Sequence, residues 1–346
     1  MQRKLIAAAL FASFPLIAAA QSSVTIYGIA DAGIERRDTG AANGTSTAVA
    51  SGNQSSSRIG FRGIEDLGNG LKATFNLEAA VAVDTGAHDQ SSLFSRRAVV
   101  GLQGAFGQIN IGREYTPVAD IAGLSDINGQ GLYGNNLSMF GANRMTRRIS
   151  NSVNYKSNPI GGLRVGAAYG AGEQPTGPSQ NLIGVSADYN TKFGTTGLYL
   201  GGAYQTYKRV GNEQDSEMIL GAGLAMGAFE IKANMARANQ ANAVASGPAF
   251  RHDFEQFNIG ASYTLGASKF FTNYQHNEMS NGPEGDGFSL GYTYSLSKRT
   301  NFYAAYATMR NEAGANFGIS SGQNVVPAGA LGADPKVATV GIRHTF

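Results

Sequence analysis

Val337-Ala338-Thr339-Val340-Gly341-Ile342-Arg343-His344-Thr345-Phe346 is the stretch that decides the fold. Ala338, Val340, Ile342 and Phe346 fall on one face of an extended segment, with His344 as the exception; Thr339, Gly341, Arg343 and Thr345 fall on the other. Alternation sustained over a whole terminal segment means that one face meets something apolar and the other meets water. Terminal strands fray unless they are tied down, so this one must be paired. The pattern recurs through most of the chain with almost no helical periodicity. That combination points to a closed membrane barrel, in which every backbone group is satisfied within the wall.

Working inward from that end, Phe257-Asn258-Ile259-Gly260-Ala261-Ser262-Tyr263-Thr264-Leu265 and Phe288-Ser289-Leu290-Gly291-Tyr292-Thr293-Tyr294-Ser295-Leu296 repeat the alternation. A soluble sandwich alternates too, but its wet face carries Lys and Glu. Here the polar face is Gly, Ser, Thr and Asn. The 15 Tyr and 18 Phe, some near strand ends, would serve as the aromatic girdles in a chain without Trp. Sixteen such segments are expected, from about 24–36 to 336–346, giving an all-β, 16-stranded antiparallel transmembrane barrel. The connections alternate between tight turns such as Leu67-Gly68-Asn69 and longer polar ones at 37–55, 85–93, 115–146, 172–180, 209–214, 240–252, 280–284 and 312–335, the asymmetry of an outer-membrane barrel.

The first twenty residues behave differently. Arg3 and Lys4, an apolar core from Leu5 to Ile17 and Ala18-Ala19-Ala20 read as a secretory signal peptide over 1–20, leaving a barrel domain over 21–346. No other segment reaches the roughly 18 apolar residues of a spanning helix. The net charge of +3, without any Lys/Arg run, argues against a nucleic-acid partner. Cys is absent, which fits an exported chain without a disulfide framework.

The longest interior connection, 115–146, is too long for a simple join. It is also too apolar for a disordered tether, with Tyr115, Ile121, Leu124, Ile127, Leu132, Tyr133, Leu137, Met139 and Phe140. The inside of the barrel is the surface available to it, so it is expected to fold inward and narrow the bore. It carries Asp120 and Asp126, with Glu114 at its entrance, and the flanking segments carry Arg58, Arg96, Arg97, Arg113, Arg147 and Arg148. Acids and bases opposed across a narrow wet pore select solutes by charge and dipole. Arginines on the lipid face would cost a few kcal/mol near the midplane, so these are expected in the lumen or near an interface.

Other signals are weaker. Gly129-x-Gly131-x-x-Gly134 fits a dinucleotide regex but has no βαβ context. His88, His252, His276 and His344 show no metal-ligand spacing. Loop acids leave room for a Ca²⁺ ion whose ligands the sequence does not name. No His sits near a nucleophile motif, so no enzyme is expected.

The chain resembles the trimeric general porins of beta-proteobacteria, in the Gram-negative porin family. The resemblance rests on Ser23-Val24-Thr25-Ile26-Tyr27-Gly28, on Ser57-Arg58-Ile59-Gly60-Phe61-Arg62-Gly63-Ile64-Glu65-Asp66-Leu67-Gly68-Asn69-Gly70-Leu71, on Arg96-Arg97-Ala98-Val99-Val100-Gly101-Leu102, on Gly112-Arg113-Glu114-Tyr115-Thr116-Pro117, on Asn151-Ser152-Val153-Asn154-Tyr155 and on the closing strand. It implies a homotrimer in the outer membrane, in contact with its lipid and lipopolysaccharide, inserted by the barrel-assembly machinery and passing ions and small hydrophilic solutes. It further implies that Arg58, Arg96 and Arg148 stand on the wall facing an inward-folded third loop, whose acids would be Asp126 and then Asp120. Phe346 would be the assembly signal. Where many relatives have Pro-Glu-Phe-Gly-Gly, this chain reads Asp126-Ile127-Asn128-Gly129-Gln130-Gly131, one carboxylate fewer. An anion-favouring pore is the expectation. A channel tuned to small organic acids and an outer-membrane adhesin are the alternatives.

Overall fold

The computed structural model describes residues 23–88, 92–173, 181–208, 214–240, 253–280 and 282–346. The expected leader, 1–20, lies outside them. The wall runs through β1 (Ser23–Asp38), β2 (Thr45–Ser51), β3 (Arg58–Gly68), β4 (Leu71–Ala80), β5 (Arg97–Gly104), β6 (Gly107–Tyr115), β7 (Arg148–Lys156), β8 (Leu163–Gly170), β9 (Leu182–Phe193), β10 (Thr196–Lys208), β11 (Gln214–Met226), β12 (Phe229–Asn239), β13 (Phe254–Leu265), β14 (Ser268–Met279), β15 (Glu284–Ser295) and β16 (Thr300–Asn311). After a small hairpin, β17 (Ile319–Ser320) and β18 (Val325–Val326), the wall ends in β19 (Lys336–Thr345).

All pairings in the wall are antiparallel, and neighbours in sequence are neighbours in space. β2 pairs with Ala32–Asp38 of β1 and β3 with Ser23–Ile29, so these two segments are halves of one wall strand and the barrel has sixteen. The connection expected at 37–55 therefore contains a strand. Thr45–Ser51 has a single large apolar residue, Val49, and gives almost no alternation to read.

The closing strand pairs with β16 on one side and β1 on the other, in a register that sets Val340 opposite Ile34 and Thr345 opposite Ile29. Phe346 extends it by a reciprocal backbone pair with Gly28, N to O at 3.2 Å and back at 3.0 Å. Among the described residues the wall itself is left with no open edge on which another chain could template.

The burial pattern is inverted relative to a water-soluble protein. Val100, Ile111, Val153, Ile183, Leu220, Leu290 and Ile342 are exposed on the outer face, while Gln205, Asn234, Gln256, Asn258, Asn273 and Gln275 are buried inside. No helix among the described residues is long and apolar enough to cross a membrane; the strands make the crossing.

The interior is buried because two connections fold into it. The first follows β6: Thr116 caps α1 (Pro117–Leu124), accepting from the Ala119 N–H at 3.2 Å, and Pro117 at the first helical position needs no donor there. A 3₁₀ helix over Asn136–Asn143, capped by Asn135, follows. This third loop hugs one half of the wall, from β9 round to β16. A Cβ on Gly221 would sit 2.5 Å from the Ser125 Cβ, and one on Gly260 2.4 Å from the Ile127 Cγ2, so glycine is what lets the loop backbone approach the strands. The second inward segment is the 312–335 connection, with Phe317, Ile319 and Val326 almost fully buried. Its β17–β18 hairpin bridges the loop tip and the adjacent wall: Ser320 O accepts from the Gly134 N–H at 3.0 Å on the loop side, and Asn324 Nδ2 donates to Ser51 O at 2.7 Å and Asn53 Oδ1 at 2.8 Å on the wall side. Arg144 joins the two segments, its guanidinium between the Phe254 and Phe317 rings at 5.1 and 4.9 Å from their centroids.

Candidate functional site

With the third loop against β9–β16, the open bore lies along β3–β9. A cavity of about 420 Å³ occupies it, lined by the wall kink at Gln54-Ser55-Ser56, by Arg58, Arg96, Tyr115 and Arg147, by the loop residues Asp120, Gln130 and Gly131, and by Lys156, Arg164 and Asp188. The kink exists because Asp31, fully buried on β1, accepts from the Gln54 and Ser55 N–H groups at 3.0 and 2.7 Å and from the Tyr303 hydroxyl at 2.7 Å. The displaced backbone then meets the loop, Gln54 O accepting from the Leu132 N–H at 3.1 Å.

The arginines are held by packing as much as by charge. Arg96 Nε donates to Glu78 Oε1 at 2.5 Å and Nη2 to the Tyr115 hydroxyl at 3.1 Å. Arg58 Nε lies 3.5 Å from the other Glu78 oxygen. Arg148 stacks 4.4 Å above the Tyr115 ring centroid and donates to its hydroxyl at 2.7 Å. Arg147 donates to Gln130 Oε1 at 2.9 Å and lines the cavity without an ion-pair partner among the described residues. Tyr115 thus organises Arg96, Arg147 and Arg148, which cluster despite their like charge. Arg97 pairs with Glu114 inside the wall, and Asn110 Nδ2 donates to the same carboxylate at 3.1 Å. Arg113 stands at a bulge on the face shared with Ile109 and Ile111, donating to Ser95 O at 2.6 Å and Ser150 Oγ at 2.9 Å.

The two loop acids part company. Asp120, in the first turn of α1, faces the cavity with Oδ2 2.6 Å from Lys156 Nζ. Asp126 is fully buried and offers no atom to the lumen. Its oxygens accept from the Asn128, Gln130 and Asn136 N–H groups at 2.8, 2.9 and 3.0 Å, which holds Gln130 at φ 63° and Leu132 at φ 55° within one compact turn. Asp126, expected as the leading constriction acid, thus turns its carboxylate onto the backbone of its own loop. Burial pushes its carboxyl above the usual range, and the three N–H groups pull it back. Burial raises the Asp120 carboxyl as well, against the pull of Lys156.

A model of the Gram-negative porin family matches residues 6–314. The chain belongs to that family. Outer membrane porin protein 32 of Delftia acidovorans is 29% identical, the alignment covering the whole of both chains. An outer membrane porin of Bordetella pertussis is 30% identical over 90% of this chain and 95% of its own. Among solved structures, an anion-selective porin from Comamonas acidovorans superposes with a TM-score of 0.80 at 27% identity, over 94% of this chain and all of that one. This porin is accordingly an outer-membrane channel, and its inverted barrel suits that membrane.

Of the charged groups lining the porin's cavity, Lys156, Arg164 and Asp188 were not singled out from the sequence, nor was Glu78, which holds Arg58 and Arg96 from the wall. Arg164 grips Asp188 through a fork, Nε at 3.1 and 3.0 Å from the two oxygens and Nη2 at 2.9 Å. Alternation held the signal, since Arg164 lies between Leu163 and Val165, and Asp188 between Ala187 and Tyr189. Among the described residues no group of three His, Cys, Asp or Glu side chains is placed to hold a metal ion.

Proposed function

We propose that this porin favours anions and small neutral solutes and works as a homotrimer. One observation carries the selectivity: five cationic side chains (Arg58, Arg96, Arg147, Lys156 and Arg164) line the narrowed bore against two carboxylates, Asp120 and Asp188. Surplus positive charge in a low-dielectric constriction lowers the barrier for anions and raises it for cations. The likeness to a porin described as anion-selective supports the same reading. In this assignment Arg58, Arg96 and Arg147 act from the wall, Arg148 reinforces their field from behind Tyr115, and Asp120 is the loop acid. Reversal potentials of single trimers in a KCl gradient test it; a cation-selective wild type would overturn it.

Residues 1–20 are proposed as the export signal, with 21–346 as the barrel, and lipopolysaccharide and the assembly machinery as partners in the outer membrane. Phe346 is the proposed assembly signal. Its ring packs over Gly28, where a Cβ would come within 2.4 Å of it, yet the residue is half exposed on the outer face and distant in sequence from every pore group. Deleting Phe346 is expected to cut heat-modifiable trimer in the membrane several-fold while leaving the conductance of the remaining trimers unchanged. Normal trimer yield would reduce Phe346 to a lipid-facing side chain.

A further inference from the structure

The bore carries its cations in two tiers. Arg58, Arg96 and Arg147 stand at or just before the starts of β3, β5 and β7. Lys156 is the last residue of β7 and Arg164 the second of β8, at the opposite strand ends, beside the tight turn 157–162. Both tiers line one cavity, but they are partnered differently. In the first, the carboxylate is Glu78, which belongs to the wall and does not line the cavity. In the second, each cation is matched by its own acid within the cavity, Asp120 on Lys156 at 2.6 Å and Asp188 on Arg164. The side chains of Lys156 and Arg164 remain 43% and 44% exposed, so a passing solute reaches them while their acids are in place.

We infer that Asp120 and Asp188 are resident counter-anions, which a permeating anion displaces from Lys156 and Arg164 and which then reclaim them. A channel must bind its ion well enough to admit it and weakly enough to release it. Five cations without competing acids would hold a multivalent oxyanion such as phosphate or a di- or tricarboxylate through several charge-assisted hydrogen bonds. Asp120 is well placed for the exchange. Helix α1 fixes it in the first turn, where the helix dipole favours a carboxylate and its N–H donates to Thr116 O at 3.1 Å. Lys156 has three rotatable donors on a flexible stem, so its ammonium turns between Asp120 and a solute without moving the wall.

This inference rests on the anion-favouring reading, and one set of recordings separates the two. Single trimers in planar bilayers, in KCl at fixed concentration, are titrated with inorganic phosphate at pH 8. In wild type, phosphate is expected to pass with little occlusion of the chloride current. In Asp120→Asn, occlusion is expected at phosphate concentrations at least fivefold lower, with the chloride-to-potassium permeability ratio raised at least twofold. Adding Lys156→Met to Asp120→Asn should return the occlusion to the wild-type range. Asp188→Asn, which frees Arg164 in the same cavity, should shift occlusion in the same direction and decides the matter if Asp120→Asn does not yield folded trimers. Identical occlusion in wild type and in each folded Asp→Asn variant would overturn the inference. A cation-selective wild type would overturn the anion-favouring reading instead, since that result is read before any substitution.

Discussion

Arg96→Ala pores are expected to lose most of their preference for anions. Arg96 is the best-anchored cation of the bore, gripping Glu78 at 2.5 Å and the Tyr115 hydroxyl at 3.1 Å. Its removal subtracts a positive charge from the constriction. It also leaves Glu78 with only Arg58, at 3.5 Å, and the Tyr27 hydroxyl, at 3.0 Å. The lumen thus loses a cation and gains a partly unmasked carboxylate. A unit charge about 6 Å from the permeation path, in a medium of effective dielectric roughly 40, is worth about 1.4 kcal/mol, of opposite sign for anion and cation. Screening by salt in the bore reduces that, so the anion-to-cation permeability ratio should fall roughly three- to tenfold. Reversal potentials in a salt gradient measure it. Arg96→Lys should keep most of the selectivity, because the charge remains although the fork is lost. An unchanged ratio in Arg96→Ala would make Arg96 a brace of the wall and move selectivity to other residues.

Asp126→Asn should loosen the third loop rather than retune its charge. The carboxylate accepts three backbone N–H groups, and it does so fully buried. The asparagine amide is the same size, but its NH₂ would face at least one of those donors. Losing such contacts to a buried charge costs roughly 3 kcal/mol, enough to release a turn that holds Leu132 in the left-handed region. The expected result is a noisier open channel with higher mean conductance and new protease cleavage between residues 126 and 136. Its permeability ratio should move less than that of Asp120→Asn. A quiet channel of wild-type conductance would show that the tip is held mainly by its other ties. These are the Tyr133 hydroxyl donating to Glu35 Oε2 at 2.5 Å and Asn273 Nδ2 donating to Gly134 O at 2.7 Å.

The wall was legible because its signal is local. Ala338, Val340 and Ile342 point to lipid for the same reason that they alternate with Thr339, Gly341 and Arg343, and nothing distant enters that inference. The inward loop was legible from Ile121, Leu132, Tyr133 and Met139, apolar residues with no other place to be buried. What each charge does was harder to read. A carboxylate in a loop faces either the solute path or its own backbone, and Asp126 takes the second course. The Asp-x-Asn-Gly run from Asp126 to Gly129, with its turn chemistry, was the available hint. The partnership of Asp120 with Lys156 joins residues 36 positions apart, at a depth set by how far α1 descends, and no periodicity reports that. β2 was lost because seven residues, all small except Val49, pair through their backbone and leave almost no side-chain pattern.

The β17–β18 hairpin bears on the order in which the molecule is made. Ser56 Oγ donates to Gly322 O across 266 positions, and Asn324 reaches Asn53 across 271. The narrow part of the channel is therefore stitched between the first and last portions of the chain. Loop closure over such spans is slow and gains nothing until both partners are in place. A chain that has inserted β1–β15 is still an open sheet around a wide trough. The passage acquires its final bore only when β19 closes on β1 and the hairpin settles onto the kink. The cavity that selects ions is thus complete only in the closed barrel, where Gly322 and the kink at Ser56 meet in its lining.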